Sequence, residues 1–282
     1  MATPIQLFQF LNWRIKQSLS SQKKALHQQI VFLNDDAVEV SNPKVALILH
    51  SFYPEIGLEI LNQVVVQANH FDKVLITHNL SPQDQAKFRE EIPIELAEKC
   101  RLMWVENKHR DCGPFIEAAN SEYLHDCEVF LKLHTKKSPH LRNDEGTKWR
   151  RGLVDSLLHR EDLTQLIGQL NNAAEPMWAC PEPWLSTKSQ WGFNSFQVWS
   201  LTQKLKLQYR GPKAFPNGNM YWMNKNLLEI LRQIKPPTKK NFTYILDGTF
   251  SHAYERLPSL MKVSSMTDFK TYNPEYSNLS KV

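Results

Sequence analysis

The first half of this chain repeats one pattern four times: a short apolar run rich in Val, Ile and Leu, then a stretch with helical spacing. The runs are "KVALILH" (residues 44–50), "DKVLITHN" (72–79), "RLMWVEN" (101–107) and "CEVFLKLHT" (127–135). Runs this short, bounded by polar residues, read as strands buried on both faces. Between them "PEIGLEILNQVVVQAN" places Ile56, Ile60, Leu61 and Val64 on one helical stripe. "SPQDQAKFREEIPIELAEKC" offers Ser81 before Pro82 as a helix start, and "PFIEAANSEYL" follows the third run. Strand alternating with helix leaves few options, and the expected fold is α/β with a mostly parallel sheet flanked by helices.

The second half is less regular. "TKWRRGLVDSLLHREDLTQLIGQL" reads as a long helical stretch broken near Arg160, "PMWACP" as a strand, and "FPNGNMYWMN" as a strand leading into the helix "KNLLEILRQI". No linker-like composition separates the halves, so the expectation is one domain with a C-terminal elaboration. Its boundaries are a helical segment over 1–40, the main domain over 41–262 and a polar tail over 263–282. In the N-terminal segment Phe8, Leu11, Ile15 and Leu19 share a stripe, with Arg14, Lys16, Lys23 and Lys24 nearby. Packing of that stripe on the domain is favoured over a helix lying on the anionic inner face of a membrane, which remains the alternative.

Composition narrows the class. With 282 residues and 41% hydrophobic content the chain can bury a sizeable core, and only 9 Gly argues against a fibrous or disordered protein. The formal charge of +5 suits an anionic ligand. The basic residues gather at strand ends and form no stripe along a helix, so nucleic acid is not the expected partner. Cys100, Cys112, Cys127 and Cys180 make no CxxC pair, which fits thiols in a reducing compartment rather than a zinc site or disulfide scaffold. No apolar stretch approaches the ~20 residues of a membrane span, and the N-terminus lacks a signal-peptide pattern, so the expected location is cytoplasmic.

Ligands of open α/β sheets bind beyond the carboxyl ends of the strands. Three polar loops should meet there: "SFYPE", "KHRDCGPF" and the end of "FLKLHTKKSPH". In the second, Gly113 and Pro114 fit a helix N-cap and first turn whose amides face an anion, with Asn107, Arg110 and Asp111 placed to read a nucleotide. Alternation puts Lys132 and His134 on one face of the fourth strand, where a buried lysine needs a mouth or a carboxylate beside it. His134, Lys136 and Lys137 stand where many nucleotide-sugar enzymes hold a metal on Asp-x-Asp. Fixed cations can meet the charge of a departing diphosphate as a metal does, so no metal ligand or cofactor is assigned. Arg150 and Arg151 could clamp phosphate or snorkel. Asn217, Gly218 and Asn219 form a turn toward the cleft, with Tyr221 and Trp222 weighed as a sugar platform against core packing. "LDGTFSHAYERL" supplies His252, Glu255, Arg256 and Asp247, the last as candidate base for an acceptor hydroxyl or as a helix N-cap.

"VALILHSFYPE", "ENKHRDCGPF", "VFLKLHTKKSPH", "WRRGLVDSLL", "FPNGNMYWM" and "LDGTFSHAYERL", in that order, resemble the rhamnan synthesis protein F family of bacterial polysaccharide biosynthesis. The likeness covers roughly residues 45–257, and "LKLHTKKS" and "DGTFSHAYER" are its specific parts. It implies a glycosyltransferase of GT-A-like fold. The donor would be a nucleotide-sugar, with dTDP-L-rhamnose the candidate, and the acceptor a glycan or lipid-linked glycan of a surface polysaccharide. Lys108, His109 and Cys112 depart from the string N-R-G-R-D-I-G that the resemblance leads one to expect. Rival readings are a non-catalytic glycan-binding or assembly module and a transferase of phosphorylated groups to a glycan.

Overall fold

The computed structural model describes residues 10–11, 42–137, 145–158, 162–181, 184–186, 188–209, 211, 213–237 and 248–266. The four apolar runs form the parallel strands β1 (Val45–Ser51), β2 (Lys73–His78), β3 (Cys100–Trp104) and β4 (Val129–His134). β1 and β4 are buried along their whole length, which is why they are mostly apolar rather than alternating with exposed polar residues. They connect through α1 (Pro54–Val64), α2 (Pro82–Glu90), α3 (Ile94–Ala97) and α4 (Cys112–Ala119). Ser81 caps α2 as its sequence suggests: its Oγ accepts from the Asp84 amide at 3.2 Å, with Pro82 next in line.

The later chain gives α5 (Glu145–Leu158), α6 (Leu163–Asn172), β5 (Met177–Pro181), the two-residue β6 (Leu185–Ser186), α7 (Ser195–Lys204), β7 (Phe215–Pro216), β8 (Tyr221–Asn224), α8 (Lys225–Leu231), α9 (Phe250–Glu255) and β9 (Lys262–Met266). One sheet of seven strands runs β3-β2-β1-β4-β8-β5-β9, with β6 and β7 paired apart from it. β8 is antiparallel to both β4 and β5, and the other strands of the sheet run together. The fold is therefore α/β with a mostly parallel sheet.

"FPNGNMYWMN" differs from the expected single strand. Phe215–Pro216 pairs with β6, Asn217–Asn219 makes one 3-10 turn, and only Tyr221–Asn224 enters the main sheet. The cause is local: Gly218 and Asn219 both have positive φ, 75° and 57°, which no strand accommodates. The expected long helix is two helices, and the break near Arg160 lies outside the described residues.

Alternation along β4 decides what each face holds. Leu131 is the partner of Trp222, which is wholly buried, stacks on Phe71 at 5.8 Å and donates to the Leu157 carbonyl of α5 at 2.9 Å. Lys132 is the partner of Tyr221 on the opposite face, toward α4 and Phe115. Trp222 thus takes the packing role and offers no face to a sugar. Of the N-terminal stripe only Leu11 falls among the described residues, and it is 48% exposed. Its neighbour Phe10 is the residue that packs, edge-on to Phe196 at 5.3 Å and against Trp199 at 5.7 Å. All four cysteines are free thiols, and no helix among the described residues is long and apolar enough to cross a membrane.

Candidate active site

At the carboxyl rim, β1 and β4 end side by side, with His50 the register partner of His134. Thr135, the next residue of β4's strand, ties the loops together. Its Oγ1 accepts from the amides of Phe52 at 2.9 Å and Tyr53 at 3.1 Å, the two residues that lead into α1.

Lys132 is 1% exposed and finds the carboxylate it needs in Asp111, whose Oδ2 lies 2.9 Å from Nζ. A second bond runs from Nζ to the Asn219 carbonyl at 2.7 Å, and the rings of Phe115 and Tyr221 flank the ammonium at 5.1 and 5.6 Å. The Asn219 side chain also donates to Asp111 Oδ2, at 2.7 Å. Burial alone would raise the Asp111 carboxyl, but the positive groups beside it, His134 when protonated and Lys132, hold it well below the usual carboxylate range. These contacts join the loop after β3, strand β4 and the turn before β8.

His134 donates from Nε2 to the Gly218 carbonyl at 2.7 Å. Burial, reinforced by Lys132 and Lys136 and opposed by Asp111, pushes its pKa down to about 4. At neutral pH it is an uncharged ring that fixes the turn, so the positive charge expected of it is not there. Gly218 itself is required twice over: its φ is positive, and an added Cβ would fall 2.2 Å from Cη2 of Trp149.

The segment before α4 is wound tightly. His109 and Arg110 both sit in the left-handed region, at φ 58° and 56°. His109 occupies the position where the family-like string carries glycine, and the backbone shows why glycine suits it. α4 begins at Cys112 with Asp111 at its N-cap position, so Gly113 and Pro114 lie inside the first turn rather than at the cap expected of them. Gly113 is needed because a Cβ would meet the Lys108 carbonyl at 2.1 Å.

Arg110, exposed at the rim, donates from Nη1 to His252 Nε2 at 2.9 Å. His252 Nδ1 lies 2.8 Å from the Oγ1 of Thr249, the N-cap of α9. Asp247 falls outside the described residues, and the cap position once open to it belongs to Thr249. Glu255 stands one turn after His252 on the same helix face, and its carboxylate lies within 4.8 Å of those of Asp111 and the Cys112 sulfur.

The two adjacent lysines part company. Lys136 is half-buried over the Trp149 ring at 4.8 Å. Lys137 turns to α1, 2.8 Å from Glu55 and over the Tyr53 ring at 4.0 Å. Arg150 is buried, donating to the Lys136 carbonyl at 3.1 Å and to Glu59, which Arg151 also meets at 2.7 Å. Arg150 is thus a brace for the loop after β4. Asn107 is exposed, Asn217 half-buried and Asn219 buried.

Asp111, Cys112 and Glu255 are near enough to share a metal ion, yet the donor set does not suit one. Asp111 Oδ2 already takes two hydrogen bonds, one from an ammonium, and burial pushes the Cys112 thiol well above its ordinary range.

A family model described as rhamnan synthesis protein F matches residues 14–265. The chain is similar to the uncharacterized protein WxcX of two strains of Xanthomonas campestris pv. campestris, 25% identical to each over 240 residues. The matched region is 84% of this chain but 34% of each relative, so the chain spans about a third of their length. Among solved structures, 4-diphosphocytidyl-2C-methyl-D-erythritol synthase from Anaerococcus prevotii aligns at TM-score 0.40 and 11% identity, covering 85% of this chain and 97% of that one.

Proposed function

Because the chain belongs to the rhamnan synthesis protein F family, we propose that it is a glycosyltransferase of bacterial surface-polysaccharide synthesis. The donor is a nucleotide-diphosphate sugar, with dTDP-L-rhamnose the first to try, and the acceptor is a glycan or lipid-linked glycan. A mostly parallel sheet with reversed β8 is compatible with the GT-A-like reading. One observation carries the proposal: exposed Arg110 and half-buried Lys136 reach the same rim as the buried Lys132–Asp111 pair, from separate segments of chain.

In this reading the diphosphate lies against Lys136 and Arg110, with Asn107 toward the nucleotide and Lys137 at the margin. His134 and Asp111 hold the turn of Asn217, Gly218 and Asn219 that faces the sugar, and His252 orients Arg110. As the glycosidic bond breaks, negative charge grows on the leaving diphosphate. Fixed cations stabilise it more than the ground state. The acceptor hydroxyl loses its proton to a carboxylate, for which the sequence nominates Asp247.

The test is release of nucleoside diphosphate from nucleotide sugars in the presence of acceptor glycan. Lys136→Ala should lower turnover ~100-fold or more with little change in melting temperature, since a half-exposed cation–π contact is worth only about 0.5–1 kcal/mol. Unchanged turnover removes Lys136 from the mechanism. Glycan binding without any released nucleoside diphosphate would favour the non-catalytic module instead.

A further inference from the structure

The rim holds two carboxylates within 4.8 Å of each other, Asp111 and Glu255, and their surroundings treat them differently. Asp111 is buried and committed: Lys132 and Asn219 both donate to Oδ2. Glu255 keeps 21% of its side chain open, and its ion-pair partner among the described residues is Arg256, at a loose 3.9 Å. We propose that Glu255 is the general base that takes the acceptor's proton, a role that rests on the sugar-transfer reading above.

Two carboxylates this close do not both ionise freely, and the proton goes to the one with poorer compensation. The groups that face Glu255 are Asp111 and Cys112 from the start of α4, Lys132 of β4, Lys136 after it, Tyr221 of β8 and its neighbour Arg256. Burial and the Asp111 charge raise the Glu255 pKa, and Lys136, Arg256 and Lys132 only partly oppose them. A carboxylate whose pKa is raised is a stronger proton acceptor than an ordinary glutamate. Asp111, held far below its usual range, is too weak a base for the same task.

Position agrees with chemistry. Glu255 lies within 4.8 Å of Asp111, whose partner Lys132 is on β4, the strand that leads to Lys136, assigned to the leaving diphosphate. A displacement needs its cation at the leaving oxygen and its base at the attacking one, with the sugar between. The acceptor O–H bond breaks toward the Glu255 carboxylate as the acceptor oxygen bonds to the anomeric carbon. The bond from that carbon to the diphosphate breaks, and its electron pair leaves with the nucleoside diphosphate. The proton then passes from Glu255 to water.

The experiment compares Glu255→Gln, Glu255→Asp and Asp247→Asn for sugar transfer across pH, alongside titration of each protein with the nucleoside diphosphate. Glu255→Gln should lose ~100-fold or more in turnover, bind the nucleoside diphosphate within twofold of the parent, and lose the acid-side fall in rate. Glu255→Asp should retain a measurable part of the rate with its acid limb intact. Full activity and an unchanged pH profile in Glu255→Gln, with loss confined to Asp247→Asn, would overturn the assignment while leaving sugar transfer in place. A parent protein that neither binds nor releases nucleoside diphosphate would overturn both.

Discussion

Lys132 shows what one buried charge demands of its surroundings. An ammonium taken out of water is tolerable only with its charge met and its donors largely used; Asp111 meets the charge and, with the Asn219 carbonyl, takes two of the three donors. Removing one partner leaves the other charged and alone. Lys132→Ala should therefore lower folding stability in urea titration by about 3–5 kcal/mol, whereas the double variant Lys132→Met with Asp111→Leu should recover most of that loss. The acid limb gives a second readout. Asp111 has a depressed folded pKa, so its contribution is full above the unfolded value near ~4 and disappears as pH falls toward the folded one. Asp111→Asn should erase that part of the acid dependence. A double variant as unstable as the single would show that the pair's cost is packing rather than charge.

The loops at the ends of β1 and β4 form a unit because Thr135 lies between them. Its Oγ1 accepts two amides that lead into α1, and it lies 3.3 Å from the His50 carbonyl, to which its hydroxyl donates. Thr135→Val keeps the shape and deletes the acceptor, leaving the Phe52 and Tyr53 amides without it. The expected cost is about 1–3 kcal/mol. If Lys136 is aimed by this stitching, affinity for a nucleoside diphosphate should drop by more than the stability loss explains, as calorimetric titration of the still-folded variant would show. Unchanged affinity would make Thr135 a matter of stability alone. This knot was not visible in the sequence, where nothing in the order of residues links Thr135 to the amides of Phe52 and Tyr53. The four parallel strands were legible because each is a short, mostly apolar run between polar segments, although β3, at the sheet edge, is only partly buried. Reversed β8 was not, since nothing within Tyr221–Asn224 encodes direction, and the left-handed turn at Gly218 and Asn219 before it is not fixed by residue type alone. The site was half legible for the same reason. A lysine in a buried strand announces that it needs a carboxylate, but the sequence cannot say that the carboxylate is Asp111. Nor could it show that Lys136 and Lys137 diverge, or that Glu255 rather than a nearer-looking acid meets Asp111.

Over the whole molecule, the buried histidines set how the fold answers acid. His50 and His134 end adjacent strands, both buried, and burial pushes each down to about 4 from an ordinary 6.5. For His50, Asp111 and the bond to Thr77 oppose that shift while His134 and Lys132 add to it; for His134, Asp111 opposes and Lys132 and Lys136 add. The unfolded chain thus binds protons near pH 6.5 that the folded chain refuses until about pH 4. Stability is full above the upper value and lost progressively as pH falls between the two. Each ring steepens the slope by up to about 1.4 kcal/mol per pH unit. Glu255 acts in the opposite sense. Its folded pKa is raised, so its contribution is present at low pH and lost as pH rises through that value. That partly offsets the histidines. The net expectation is a urea midpoint flat near neutrality and falling clearly between about pH 6.5 and 4. His134→Gln, which can still donate to the Gly218 carbonyl, should flatten the fall by roughly half, since one of the two rings is gone. A midpoint that stays level down to pH 5 would mean that both rings take up protons without penalty, and that the rim is open to water at the ends of β1 and β4.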